Sequence, residues 1–194
     1  MVEVRALTVC EIEAHLDDVA RLRIAVFRDW PYLYDGRLEY ERDYVRSYCD
    51  AEDALLVAAF DAGVLVGAST STRMEAHAEA FAEPLKRIGV PVDRILYGPE
   101  SALLPAYRGR GLGHQFFDLR EAHARRLGRS HVAFCSIVRA ADDPKRPPDA
   151  RTNDAFWAGC GYAPLPGVTA QFSWTDAGDT AETEKSLQFW MRKL

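Results

Sequence analysis

Apolar and polar positions in this 194-residue chain alternate with two periods, and the switches between them mark out the elements. Val2–Leu7 reads as a short strand. From Cys10 to Phe27, Ile12, Leu16, Val19, Leu22 or Arg23, and Val26 recur at three- and four-residue spacings, which predicts one amphipathic helix. Trp30-Pro31 interrupts it. Tyr40, Tyr44 and Tyr48 then recur every four residues, so they line one face of a second helix, either as a core stripe or as the wall of a pocket. Ala54–Phe60 and Val64–Thr72 are β-like runs joined by Asp61-Ala62-Gly63, a hairpin signal. Met74–Ile88 reads as a helix or lid ended by Gly89-Val90-Pro91. Ile95–Leu104 is a strand with Gly98-Pro99 inside it, and a proline that cannot donate to a ladder predicts a bulge there. Leu112–Leu127 carries Leu112, Phe116, Leu119, His123 and Leu127 on one face and closes at Gly128. His131–Val138 is an apolar strand, Arg139–Arg151 a loop, and Thr152–Ala158 a short helix. Two alternating runs, Val168 to Trp174 and Leu187 to Met191, predict a terminal hairpin across the acidic loop Asp176–Glu184.

Strands alternating with helices over this length predict one α/β domain, residues 1–194. Nearly half the residues are apolar (48%), enough to fill a core. A net charge of −5 argues against nucleic acid as a general partner and tolerates a cationic substrate. The four cysteines, Cys10, Cys49, Cys135 and Cys160, form no metal-ligand spacing, and no metal is expected. With no signal peptide visible and no apolar run of membrane-span length, the expectation is a cytoplasmic protein without a membrane partner.

The candidate chemistry centres on Arg108-Gly109-Arg110-Gly111-Leu112-Gly113-His114. A strand that feeds a glycine-rich bend into a helix makes an anion cradle, because the backbone can approach a ligand closely and the first helical amides lack partners. A P-loop requires Lys-Ser/Thr after the last glycine, and here His114-Gln115 follows Gly113. A dinucleotide fingerprint requires a third glycine where His114 stands. What remains is Arg-x-x-Gly-x-Gly.

This motif, within Leu104-Pro105-Ala106-Tyr107-Arg108-Gly109-Arg110-Gly111-Leu112-Gly113, resembles the coenzyme A loop of the GCN5-related N-acetyltransferases, the GNAT family. The order of elements resembles that fold over nearly the whole chain. The resemblance implies a mixed central sheet of about six to seven strands flanked by helices, the GNAT-like acyl-CoA N-acyltransferase fold. It implies acetyl-CoA as co-substrate, lying in a V between the fourth and fifth strands. The amides from Arg108 through Gly109, Arg110, Gly111, Leu112 and Gly113 to His114 would bind its diphosphate, and the backbone of Leu103 and Leu104 would pair with its pantetheine arm. Glu100, just after the suspected bulge, is the candidate general base, against a reading as a partnered structural carboxylate. Phe156-Trp157-Ala158-Gly159-Cys160-Gly161-Tyr162 departs from the family, since Trp157 holds the place of the tyrosine that protonates the thiolate, and an indole cannot serve as that acid. Tyr162 or Cys160 could substitute, and Trp157 would pack on the pantetheine. The acceptor is expected to be a primary amine of a small molecule or peptide, with Phe27, Arg28, Tyr32 and Tyr34 among its walls and the protein a monomer or homodimer. A non-catalytic acyl-CoA sensor, or an acyltransferase with another acyl donor or acceptor, is the alternative.

Overall fold

Seven strands form one sheet in the order β1-β2-β3-β4-β5-β7-β6. The structure is a computed structural model that describes residues 1–77 and 79–194, without the side chains of residues 79 and 80. The strands are β1 (Glu3–Ala6), β2 (Leu55–Asp61), β3 (Val64–Arg73), β4 (Ile95–Leu103), β5 (His131–Ile137), β6 (Ala163–Thr175) and β7 (Glu182–Lys193). The helices are α1 (Val9–Ala14), α2 (Leu16–Phe27), α3 (Leu38–Asp50), α4 (Glu79–Lys86), α5 (Leu112–Arg126) and α6 (Asp154–Gly159). The hairpins predicted at Ala62-Gly63 and at the C-terminal end both form. Among the described residues no helix is long and apolar enough to cross a membrane.

Strand alternation divides the core between the two faces of the sheet. Ala58, Ala68 and Ala102 meet Leu16, Val19, Leu22 and Phe27 of α2 and Val45 of α3 on one face. Ile95, Tyr97, Ala133 and Cys135 continue that face toward Ala82 and Leu85 of α4. Val57, Ala59 and Val66 meet Phe116 of α5 on the other. Leu96, Val132 and Phe134 join Phe117, Tyr162 and Trp190 on that same second face.

Three expectations change. The helix from Cys10 to Phe27 is two helices. Thr8 starts the first with a reciprocal capping box to Glu11, and His15 ends it, its ring drawn to Phe60 (centroids 5.1 Å) and to the Asp18 carboxylate (2.9 Å). Of the tyrosine stripe, Tyr40 turns out of the core. Each four-residue step rotates the face by about 40°. Tyr44 and Tyr48 therefore pack inward beside buried Glu41 and Val45, while Tyr40 is 56% exposed. Finally, Met74–Ile88 divides into a 3-10 turn at Met74–Ala76 and α4, with residue 78 of that stretch outside the described residues.

The bulge at Gly98-Pro99 is present. Thr70 pairs with Glu100 but Thr72 pairs with Tyr97, so β4 has one residue more than β3 across this interval. The widened interval is filled from α5 by the buried guanidinium of Arg120. Its Nη2 donates to Ser69 Oγ (2.6 Å), Ser101 Oγ (2.8 Å) and the Glu100 carbonyl (3.0 Å). Gly98 is required by this approach, because a Cβ built there would lie 2.5 Å from Arg120 Cζ. Gly98→Ala should therefore lower stability by about 2 kcal/mol, as overpacking does, through a side chain that cannot be displaced without stranding a buried charge. Thermal or urea unfolding checks this, and an unchanged midpoint would contradict it.

Candidate active site

The cleft begins where β4 and β5 part. They run parallel, and their pairing covers only Ile95–His131, Leu96–Val132 and Tyr97–Ala133. Beyond it β4 follows β3 to Leu103 and β5 follows β7 to Ile137, which leaves a fork between them. The Leu104 amide donates to the Val66 carbonyl (3.0 Å), so by strand alternation the peptide groups of Leu103 face the fork. Leu104 thus spends its amide on β3. The Leu103 carbonyl accepts from Arg108 Nε (3.1 Å), which ties the loop back to the rim.

At the wide end the chain passes through a 3-10 turn, Pro105–Tyr107, into the glycine bend and α5. Gly111 stands at the helix N-cap with φ 80°, a conformation costly for any other residue, and it offers no side-chain cap. The first amides of α5 therefore have neither an intrahelical partner nor a capping oxygen. The bend is braced from β2, since the Tyr107 hydroxyl donates to Asp61 Oδ2 (2.9 Å) and the Arg110 guanidinium lies 5.0 Å from the Tyr107 ring. Arg108, Gly109, Arg110, Gly111 and His114 are exposed; Leu112 is buried beneath them. Phe156 of α6 closes on Gly113, where a Cβ would lie 3.0 Å from its ring, and meets His114 edge to face at 5.0 Å. The fold thus brings the predicted loop residues together. Trp157 stands apart from them, its ring on Phe134 and Trp190 (5.1 Å each).

Past the bulge, Glu100 turns to the α2–α3 face with its side chain only 8% exposed. A carboxylate removed from water needs partners, and it has three. Arg23 of α2 pairs with Oε2, Tyr44 donates to the same oxygen (3.3 Å), and Thr70 donates to Oε1 (2.9 Å). Arg23 also pairs with Glu41, which is wholly buried, and its guanidinium lies 4.2 Å from the Tyr44 ring centroid. Arg23, Glu41 and Glu100 thus form one dry ion cluster on the α2–α3 face, where such charges persist only in mutual contact, while Arg120 meets the Glu100 main chain from the α5 side of the sheet. The sequence pattern offers Arg23 only as an alternative to Leu22 on the inward face and does not single out Arg120, and it assigns neither a role at the site. The signal was available, because both occupy inward positions of their helices beside Leu22 and Phe116.

Tyr162 is not brought to Glu100. It is 2% exposed on the opposite face of the sheet, its hydroxyl donating to Glu121 Oε1 (3.3 Å) and its ring against Phe117 (5.1 Å) and Phe134 (5.2 Å). Burial raises its pKa. Cys160 is half-buried on that side with its thiol also pushed up by burial. Of the expected acceptor residues, Phe27 and Tyr32 touch edge to face (5.0 Å), and the Tyr34 amide donates to the Phe27 carbonyl (2.8 Å). Tyr32 and Tyr34 pack on the cluster that holds Tyr97 and Cys135. Arg28 points away, exposed and paired with Asp35 (2.5 Å). Arg139 anchors this segment, donating to the Pro31 and Tyr32 carbonyls (2.8 and 2.9 Å) and to Asp176.

At the apex of the fork the Tyr97 hydroxyl lies 2.9 Å from Cys135 Sγ. The His77 ring meets Tyr97 edge to face at 4.6 Å, and its Nε2 contacts the Thr72 hydroxyl. No cluster of three or more His, Cys, Asp or Glu suited to a metal ion occurs among the described residues.

No family model matches the chain, and no curated protein matches it in sequence. Solved structures do match it in shape. The yncA protein of Salmonella typhimurium, solved with its cofactor acetyl-CoA, aligns at TM-score 0.64 and 13% identity over all of this chain and 94% of that one. An acetyltransferase of the GNAT family from Staphylococcus aureus aligns at 0.60 and 10% over 100% and 99% of the two chains. The Drosophila melanogaster polyamine N-acetyltransferase aligns at 0.62 and 14% over the whole of both. The fold is that of the GNAT acetyltransferases. In this fold the fork between β4 and β5, the bulge and the uncapped start of α5 lie on one continuous path.

Burial pulls the His77 pKa down to about 4. Protonation therefore opposes folding. The stability contributed by the neutral ring is full above the unfolded value of about 6.5 and is lost as pH falls from there toward about 4. An NMR titration of the His77 ring should show a midpoint near 4, and a midpoint near 6.5 would place the ring in water.

Proposed function

We propose that the protein is an acetyl-CoA-dependent N-acetyltransferase, a single domain over residues 1–194, that passes the acetyl group directly to a primary amine of a small molecule or peptide. The observation that carries this reading is the fork between β4 and β5 opening onto the uncapped amides of α5 through the Arg108–Gly111 bend. A diphosphate set on those amides meets both the helix dipole and the exposed guanidiniums of Arg108 and Arg110. An arm running from it along the Leu103 edge would take the hydrogen bonds that β5 leaves unmade, and its thioester would arrive at the bulge. The acetyl-CoA in the yncA structure and the polyamine acceptor of the Drosophila enzyme support the same donor and acceptor classes.

The chemistry follows from what stands at the bulge. Attack by the amine makes a tetrahedral oxyanion, and a main-chain amide of β4 facing the fork can hold it. Glu100 is the proton acceptor in this reading. Its carboxylate would receive a proton, directly or through a water molecule, from an ammonium that arrives beside Phe27, Tyr32 and Tyr34. Those rings supply an apolar wall, and Tyr34 and Tyr32 keep their phenolic protons because burial raises their pKa values.

The Arg23–Glu100 ion pair is the observation that favours a second reading, acyl-CoA binding without transfer, since a carboxylate locked to a guanidinium is a weak base. Glu100→Gln distinguishes them. The variant should bind acetyl-CoA within about threefold of the wild type and lose about 100-fold or more in turnover over a panel of primary amines. Wild-type protein that binds acetyl-CoA and acetylates none of the panel would establish the second reading. Full activity in Glu100→Gln would remove Glu100 from the mechanism.

A further inference from the structure

The leaving thiolate needs a proton, and the segment Phe156–Tyr162 does not offer one to the fork. Trp157 is turned onto Phe134 and Trp190, and Tyr162 is bonded to Glu121 on the far face. The apex of the fork holds a buried hydroxyl instead, that of Tyr97. Tyr97 is the last residue of β4 that pairs with β5, immediately before Gly98-Pro99 and three residues before Glu100. Its side chain lies on the same face as Glu100, the face of α2, α3 and α4. Its hydroxyl crosses from β4 to Cys135, which is two residues beyond the last paired position of β5. The Tyr97–Cys135 contact therefore closes the apex of the fork, where an arm laid along β4 from Leu103 must end.

We propose that Tyr97 is the proton donor to the coenzyme A sulfur. The assignment rests on the acetyl-CoA reading of the cleft. As the adduct collapses, the carbon–sulfur bond breaks and sulfur takes the phenolic proton, forming the thiol. The tyrosinate recovers a proton from the nitrogen of the new amide, so one N–H bond is exchanged for one S–H bond and no other reagent is needed. Cys135 acts as the partner that orients the phenol. Burial pushes its thiol up to about 12, so it remains S–H and can donate to the phenol oxygen, which leaves the phenol's own proton free for the fork. Burial also raises the phenol's pKa well above its ordinary value, so the proton is in place throughout the neutral range. The neutral His77 ring against one face of Tyr97 and the Phe189 ring (6.2 Å) keep the phenol from turning away.

The test titrates the thiol of bound coenzyme A by its thiolate absorbance, with the complex of desulfo-coenzyme A subtracted to cancel the protein's own cysteines and tyrosines. A donor to the sulfur stabilises the thiolate. Tyr97→Phe should therefore raise the apparent pKa of the bound thiol by about one unit or more relative to wild type. Cys135→Ala, which removes the partner that orients the phenol, should raise it in the same direction by a smaller amount. An equal pKa in wild type and Tyr97→Phe would overturn the proposal. Should Tyr97→Phe fail to fold, Cys135→Ala carries the test alone: a raised thiol pKa supports the assignment, and an unchanged or lowered one overturns it. Wild-type protein that binds no coenzyme A would sink the acetyl-CoA reading itself, a result distinct from binding with an unmoved titration.

Discussion

Parallel pairing between β4 and β5 stops after three residues, and the rest of the site depends on that stop. A longer ladder would satisfy both strand edges and leave no room for a ligand. β4 is diverted by Gly98-Pro99, where it gains a residue against β3 and loses an amide donor. Arg120 then stabilises the diversion. Its guanidinium fills the widened interval between β3 and β4, with hydroxyls of Ser69 and Ser101 and the Glu100 carbonyl as acceptors. The fork is therefore built from the sheet outward and does not rely on loops to hold it open.

This arrangement explains why so many charges lie inside a small domain. Arg120 holds the main chain of Glu100 from one side of the sheet, and Arg23 holds its carboxylate from the other. Each cation alone would be costly in a dry core. Arg23 is paired with both Glu41 and Glu100, Arg120 is met by neutral oxygens, and between them they set the position of Glu100 relative to the fork. The pairing with Arg23 that fixes Glu100 also occupies its Oε2, so positioning and any proton transfer draw on the same carboxylate. The Tyr32–Tyr34 segment is held by the separate ion cluster of Arg139, Asp176 and Lys185, which joins it to the end of β6.

The parts legible in the sequence were those fixed by local rules. Glycines at 109 and 111 predicted the bend, Gly98-Pro99 predicted the bulge, and alternation predicted the hairpins. The resemblance to the GNAT order of elements implied a mixed sheet of about six to seven strands, which agrees with the seven observed. The parts that escaped were set by partners distant in sequence. Nothing in the run from Cys10 to Phe27 announces a break at His15, because Phe60, on β2, is what draws the ring aside. Arg23 and Arg120 sit on helical faces that pattern reading assigns to apolar residues, and only the carboxylate and hydroxyls waiting across the core account for them. Tyr97 reads as one more core aromatic until Cys135 is found opposite it.

The account stands or falls on where a coenzyme A diphosphate sits. A crystal structure of the protein with acetyl-CoA tests it most directly. The account predicts diphosphate oxygens on the amides between Gly109 and His114, the pantetheine arm between β4 and β5 along Leu103, and the thioester sulfur beside the bulge. A complex in which the cofactor lies anywhere outside the fork, or in which β4 and β5 are closed along their length, would contradict it.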